Sequence, residues 1–337
     1  MKIAWMPLEP FEQRYTEDWY KQFPREFYNQ GIEFKQYDGD NLINDIKVGS
    51  VLDAYGTNHW KMTQLARLIH DLEAGYYTNN DAILFADLWF PGIEALAYIK
   101  ALGEPMPRIT GILHAGTWDP NDFTVRRGMK PWAHYLEQAW LNIYDNIFVA
   151  TKYHKDLILN SHDVNPDKIK VTGLPFYPKD LPVPNTQRYD NQIVFPHRLE
   201  SEKHPEEFDG LMAGLDFRAH GIRTMDSYDG KKGFFNTLCE SGIAVSCATQ
   251  ETFGYAMLEA TALGCIPVVP DRVSYREMYP AKLRYKSYWE LHELVVAILD
   301  DTTRYREIAL DMARDHEMLY TKSIANMCYT LLNPVVY

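Results

Sequence analysis

Two cations, Arg198 and Lys203, two carboxylates, Glu251 and Glu259, and a glycine at position 254 are the residues of this chain whose types and spacing could do chemistry together. The stretch from Val245 to Tyr279 reads VSCATQETFGYAMLEATALGCIPVVPDRVSYREMY. It follows a β-prone apolar run (Ile243 to Cys247), turns at Thr249, Gln250 and Glu251, and continues as a helix stopped by Gly264. A helix opening just after Phe253 and Gly254 presents the N–H groups of Tyr255, Ala256 and Met257 to an anion, and Gly254 lets a ligand approach the backbone. Glu251 precedes those amides, and Glu259 lies about two turns into the helix at ~1.5 Å per residue. A phosphate between them would have a hydroxyl-bearing group within reach of each carboxylate, the layout a nucleotide sugar needs. The same pair also reads as a first-turn dipole partner and an ordinary solvated helix residue.

The segment QIVFPHRLESEKHP, Gln192 to Pro205, opens with a strand that delivers Arg198 and Lys203 together at its end. Two cations beside the helix start at Tyr255 can neutralise a diphosphate, both in the ground state and as the leaving group gains charge. In the first half of the chain, the strand Arg108 to Leu113 ends in His114-Ala115-Gly116, whose small residues leave space beside the histidine. The strand Ala82 to Phe85 ends in Asp87-Leu88-Trp89-Phe90. Doubly wound sheets bind ligands at such carboxyl ends, so Asp87 and Trp89 sit where an acceptor could be held. Asp87 as a helix cap and His114 as a packed side chain are the plain alternatives. Arg126, Arg127 and Lys130, interleaved with Trp132 and His134, suit a nucleic-acid backbone and a stacked base, or a solvated helix start. Asp38-Gly39-Asp40 has the spacing of a metal-binding carboxylate pair but lies in a turn-forming DGDN, where Asp and Gly are expected anyway.

The elements that must position these groups alternate between strands and helices. Strands are expected at Lys2–Met6, in IEFKQY, at 82–85, 108–113, 146–150 and 169–171, then at 192–195, 243–247 and in IPVVP. Helices are expected at 15–30, 52–75, 93–101, after Thr151, at 286–300 and over 302–333. Only one strand and one helix fit between Phe208 and Val245. The pattern predicts an α/β protein of two Rossmann-like domains. The first spans 1–177 and the second 185–319, with a Gly/Pro linker running through Pro184.

The segment ETFGYAMLEATALGCIPVV resembles the E-x7-E segment of retaining GT-B glycosyltransferases of the family 4 type, matched at Glu251, Phe253, Gly254, Glu259, Ala260, Gly264, Pro267 and Val268. HRLESEKHPEEF, TKYHKD and GYAMLEATALGCIPVVPDRVSYREMYP are similar to segments of tRNA-queuosine mannosyltransferases. Phage DNA-modifying glycosyltransferases are a further, looser likeness. The resemblance implies a GT-B fold with two Rossmann-like domains facing across a cleft and a terminal helix, about 320–337, crossing back to the first. It implies catalytic His114, Glu251, Arg198 and Lys203, with Glu251 and His114 at the donor sugar. Donor binding falls to Phe253, Gly254, Tyr255, Ala256, Met257 and Glu259, the last at the ribose. Trp118, Asp119 and Asp122 would join Asp87, Trp89, Arg126 and Arg127 on the acceptor side. Many family members carry a Gly-Gly loop after the first strand; this chain has PLEPFEQRY, in which Glu9 and Arg14 are the available substitutes.

The activity so implied is retaining transfer of a hexosyl or pentosyl group from a UDP- or GDP-linked sugar, without a metal or other cofactor. The acceptor is a hydroxyl on a modified nucleic-acid base, in DNA or tRNA, ahead of a glycan or small molecule. A nucleotide-sugar epimerase or hydrolase and a non-catalytic binding module are the competing classes. The net charge of −12 argues against broad adhesion to nucleic acid or acidic membrane and leaves room for a local basic groove. No run of ~18 apolar residues occurs and the N-terminus lacks a signal-peptide pattern, so a soluble cytoplasmic protein, or one in the host cytoplasm if viral, is expected. The four cysteines show no CxxC spacing and read as buried thiols.

Overall fold

The computed structural model describes residues 1–12, 14–42, 53–183, 186–215, 218–226 and 229–333. In chain order the elements are β1 (Lys2–Met6), α1 (Tyr15–Asn29), β2 (Glu33–Gln36), α2 (Ala54–Glu73), β3 (Ala82–Phe85), α3 (Glu94–Ala101), β4 (Arg108–Ile112), α4 (Phe123–Arg126), α5 (Lys130–Ile143), β5 (Asn146–Val149), α6 (Lys152–Ser161) and β6 (Ile169–Val171). They continue as β7 (Tyr189–Phe195), α7 (Pro205–Gly214), β8 (His220–Arg223), α8 (Gly230–Glu240), β9 (Ser241–Val245), α9 (Tyr255–Ala262), β10 (Ile266–Pro270), α10 (Tyr275–Met278), β11 (Arg284–Tyr285), α11 (Tyr288–Asp300), α12 (Thr302–Tyr320) and α13 (Ser323–Leu332).

The chain divides into two units. One comprises Met1–Ala150, His154–Pro175 and Lys322–Tyr337; the other comprises Thr151–Tyr153 and Phe176–Thr321. Of the linker expected to run through Pro184, residues up to 183 are described and Pro184 itself is not; the units change at Pro175 and Phe176, ahead of the expected bounds of 177 and 185. The start of the helix expected from Leu52 also lies outside the described residues. The first unit holds a parallel six-stranded sheet in the order β2-β1-β3-β4-β5-β6. The second holds a parallel five-stranded sheet in the order β11-β10-β9-β7-β8. Strands covered by helices on both faces have no solvent side, which is why AILF of β3, SGIAV of β9 and IPVVP of β10 are buried along their whole length.

Strand order fixes where each unit can bind. In the first sheet the chain runs from β1 to β2 on one side and then to β3 on the other. In the second it runs from β7 to β8 and then crosses to β9. Connections diverge at each reversal, leaving a crevice beyond the carboxyl ends of β1 and β3 in one unit and of β7 and β9 in the other.

One expected element differs. The helix predicted over 302–333 is two helices, because Thr321 and Lys322 interrupt it and α13 groups with the first unit. There α13 buries Ile324, Met327, Cys328 and Leu331. It is tied down by Ser323 Oγ, which donates to Leu174 O (3.1 Å), and by Arg108, which donates to Leu331 O (2.6 Å). All four cysteines are free and buried. No helix among the described residues is long and apolar enough to cross a membrane.

Candidate functional site

In the second unit, the loops leaving β7 and β9 are stitched together at the topological reversal. After β7 a 3-10 turn, Ser201–Lys203, carries Lys203, and His204 (φ 52°) redirects the chain into α7. The Thr249 N–H donates to Glu202 O (2.8 Å), and His204 Nε2 lies 3.3 Å from Thr249 Oγ1. Lys203 Nζ donates to Gln250 O (2.6 Å) and to Glu251 Oε2 (3.1 Å). The Lys203 and Glu251 side chains are 7% and 17% exposed, so the attraction acts with little screening. An ammonium carries three N–H bonds, and these contacts use two. Arg198 extends from the same loop, 40% exposed, with its guanidinium 3.6 Å from Glu202 Oε1.

Gly254 opens α9 in the left-handed region (φ 81°), and no side chain caps the helix there. A Cβ at this position would lie 3.1 Å from Tyr275 Cε1 and 3.3 Å from Glu251 Cγ, so glycine is required both by the turn and by its neighbours. Tyr275 is buried beneath the loop with its hydroxyl 3.0 Å from Ser246 Oγ, and Arg272 donates to the carbonyls of Cys247 (2.6 Å) and Ala248 (2.9 Å). Thr151 Oγ1 donates to Thr252 O (3.0 Å), so TKYHKD also supports this loop. The far end of α9 is held by Arg188, which donates to the carbonyls of Leu263 and Gly264.

The structure therefore joins Lys203 to the Glu251 loop and places Arg198 in the loop that carries Lys203, with Glu259 half-buried about one turn along α9, not the two expected. Two expectations change. The Met257 N–H donates to Gly254 O (3.1 Å) within the first turn, so it is already engaged, while the side chain is wholly buried. Phe253 is 2% exposed and packs edge-on against Tyr255 and Tyr320, so its ring serves the core rather than a ligand.

In the first unit, His114 follows β4 with both ring nitrogens engaged. Nε2 lies 2.7 Å from Ala86 O, a pure acceptor, so Nε2–H donates and Nδ1 accepts from the Tyr15 hydroxyl (3.2 Å). Burial holds the imidazole below its ordinary pKa and keeps it neutral, against the opposing pull of Asp87. Asp87 caps no helix. Its carboxylate is paired with Lys61 (2.7 Å) and accepts from Trp89 N (3.0 Å), while Trp89 Nε1 donates to Glu137 (2.9 Å). Trp118, Asp119 and Asp122, expected on an acceptor wall, are 4%, 3% and 4% exposed. Trp118 packs in the core, Asp119 accepts from Asn121 N (2.9 Å), and Asp122 caps α4 through Thr124 N (2.9 Å). Strand-end loops and helix caps favour the same residue types, which is why the sequence pattern could not separate the two.

Arg126, Arg127 and Lys130 are exposed, as is Trp132. Asp38 and Asp40 face separate protein partners, Tyr20 and Gln36 for the former and Arg67 for the latter. Glu9, in the loop after β1, is 7% exposed, and burial raises its carboxyl to about 7, aided by Asp53 and opposed by Arg14.

Sequence reasoning missed Tyr15, Lys61, Arg272 and Tyr275. Lys61 was the most accessible of them, because it shares the buried stripe of α2 with Trp60, Gln64, Leu65 and Leu68, and a lysine on a core face needs a partner.

No protein-family model matches the chain. Among solved structures, it superposes on sucrose-phosphate synthase from Thermosynechococcus elongatus with a TM-score of 0.69, at 12% identity and covering 98% of each chain. It superposes on HepE of Anabaena, solved with UDP and glucose, with a TM-score of 0.64, at 12% identity over 99% of this chain and 100% of that one. The fold is GT-B. Within this GT-B chain, one stretch of 104 residues is 30% identical to the tRNA-queuosine alpha-mannosyltransferase of Drosophila melanogaster. That match covers 30% of this chain and 26% of the relative, so the chain spans about a quarter of that relative's length.

Proposed function

We propose that this chain is a glycosyltransferase that moves a hexosyl or pentosyl group from a nucleoside diphosphate sugar to an acceptor hydroxyl with retention of configuration. The observation that carries the reading is the junction of the β7 and β9 loops, where Lys203 is bound to Gln250 O and Glu251 at the sheet's reversal. The remaining N–H of Lys203 and the Arg198 guanidinium take the diphosphate together with the Tyr255 and Ala256 amides, meeting the charge a metal would otherwise balance. Glu251 accepts from the sugar hydroxyls and Glu259 from the ribose. In the first unit, His114 offers a hydroxyl-bearing ligand a neutral imidazole, exchanging the Tyr15 hydroxyl for a ligand hydroxyl. In the transfer the bond from the anomeric carbon to the phosphate oxygen breaks, and the acceptor oxygen bonds to that carbon on the same face. The acceptor's proton goes to the leaving phosphate.

A UDP-linked donor is favoured over a GDP-linked one by HepE, whose solved form contains UDP. For the acceptor we favour a hydroxyl on a modified nucleic-acid base, on the strength of the queuosine transferase match, with exposed Arg126, Arg127 and Trp132 and the half-exposed Trp89 as the contacts. The net charge of −12 favours a second reading, a glycan or small-molecule acceptor.

The test is release of nucleoside diphosphate from a panel of UDP- and GDP-linked sugars, with and without acceptor. Arg198→Ala and Glu251→Ala should each lower turnover on the order of tenfold or more, since a charge-assisted contact is worth ~1.5–3 kcal/mol. Near-normal turnover in both overturns the assignment, and equal turnover without acceptor makes the protein an epimerase or hydrolase. Gel shifts with duplex DNA and tRNA at two salt concentrations separate the acceptors, because phosphate contacts give a steep salt dependence.

A further inference from the structure

Away from the residues assigned above to the donor, the first unit contains a cluster that the transfer reaction does not use. His134 and Glu137 lie one turn apart on α5, and His162 follows the last residue of α6. Among the described residues this is the group of His, Cys, Asp and Glu side chains whose ligand atoms converge, all lying within 4.8 Å of one another. His162 Nε2 is 3.5 Å from Glu137 Oε2, and neither side chain has any exposure to solvent. The imidazole rings of His134 and His162 are 4.4 Å apart, centre to centre.

The hydrogen bonds around the cluster are uneven. Glu137 is fully supplied from behind: Oε1 accepts from Trp89 Nε1 (2.9 Å) and Thr117 N (2.8 Å), and Oε2 accepts from the Thr117 hydroxyl. The histidines are supplied on one side only: His162 Nε2 lies 3.3 Å from the His134 backbone O, whereas Nδ1 of His134 and Nδ1 of His162 are both buried atoms without a hydrogen-bond partner. Two unsatisfied imidazole nitrogens in a cluster that also holds a buried carboxylate are costly as a purely structural arrangement. They are what a cation site needs: nitrogen donors, one anionic oxygen, and outer hydrogen bonds that orient the carboxylate.

We propose that His134, Glu137 and His162 bind one divalent transition-metal ion of the zinc class. Two imidazoles and a carboxylate suit such an ion. Ligands of a tetrahedral site with metal bonds of ~2.0–2.1 Å stand roughly 3.4 Å apart, so the three side chains need to close by about an ångström. His134 sits at the half-exposed edge of the cluster, which leaves the fourth position to water. Gln138, next to Glu137, already fixes the approach of α5 to the end of α6 by bonding both N (2.9 Å) and O (2.6 Å) of Asp163. The ion cross-links these helices and, through Glu137, pins Trp89 and Thr117 in the loops leaving β3 and β4. It is a positioning site and takes no part in the transfer itself.

The experiment uses the full chain, stripped with a chelator and then titrated with Co2+ followed by visible absorption, with Zn2+ as competitor and stoichiometry from equilibrium dialysis. One equivalent of Co2+ displaced by Zn2+ is expected, and Tm should rise by roughly 5 °C at a hundredfold excess of Zn2+ over its Kd. His134→Ala should weaken uptake at least tenfold while the metal-free Tm stays within about 2 °C of the parent, because its ring lies at the edge. His162→Ala should weaken uptake equally. Less than a fifth of an equivalent bound by folded parent protein, or undiminished uptake in folded His134→Ala, overturns the proposal. So does a thiolate charge-transfer band, which would assign the ion to cysteine.

Discussion

Replacing Lys203 by methionine removes two contacts at once, to Gln250 O at 2.6 Å and Glu251 Oε2 at 3.1 Å, from a pair only 7% and 17% exposed. A hydrogen bond to a charged group contributes ~1.5–3 kcal/mol, and breaking one partner of a buried pair adds the cost of the carboxylate left behind. The ammonium's own desolvation offsets part of this, leaving about 3 kcal/mol. At roughly 2–4 °C per kcal/mol for a unit of this size, the unfolding transition of the second unit should fall by ~6–12 °C. Glu251→Gln keeps an acceptor oxygen and should cost only about 1 kcal/mol. Because the two side chains touch, the double variant should lose less than the sum, with a coupling of ~1–2 kcal/mol. Chemical denaturation of the four proteins gives the cycle, and nucleoside diphosphate release gives the accompanying loss in kcat/KM, roughly 10- to 100-fold for Lys203→Met. A cycle additive to within ~0.3 kcal/mol would mean that the Lys203–Glu251 contact does not organise the loop, and the reasoning built on it would fail.

Three further outcomes follow from geometry and charge. Gly254→Ala forces a Cβ into the left-handed region within 3.1 Å of Tyr275 and 3.3 Å of Glu251, so it should cost ~1–2 kcal/mol and lower turnover at least tenfold; unchanged kinetics would contradict the required close approach. Gly116→Ala places a Cβ 2.0 Å from the Trp118 indole, and near-UV circular dichroism should report displacement of that ring with a loss of ~2 kcal/mol or more; a parent-like spectrum and stability would count against the packing described. Glu9 has a folded pKa raised from 4.5 to about 7, so the folded state binds its proton more tightly than the unfolded state between those values. Its contribution to stability therefore falls as pH rises from about 4.5 to 7 and is constant above that. Glu9→Gln should match the parent in Tm near pH 4 and exceed it at pH 8, and parallel Tm curves would refute the shift.

The fold was legible because its signals are local. Uninterrupted apolar runs such as AILF and IPVVP, punctuated by Gly and Pro, report strands buried on both faces. That Lys203 and Glu251 come together was legible because a strand end and a helix start set their positions. What escaped depends on tertiary partners. The break at Thr321–Lys322 contains neither glycine nor proline, and the next residue, Ser323, bonds Leu174 O, a partner 149 residues away in sequence. Its place in the matched segment gives Phe253 to the donor, and nearness to His114 gives Trp118 to the acceptor side, yet both rings fill the interior. The tautomer of His114 could not be read at all, since Tyr15 and Ala86 O set it across 99 and 28 residues of separation.

The chain's order of assembly follows from α13. Helix α1 packs against α13, and α13 comes after every element of the second unit. A ribosome emitting this chain N-terminus first delivers all five strands of the second sheet before the helix that covers Leu174 and Arg108 in the first. The unit begun first during synthesis is thus the one finished last, and until then its nascent form carries an open apolar face awaiting Ile324, Met327 and Leu331.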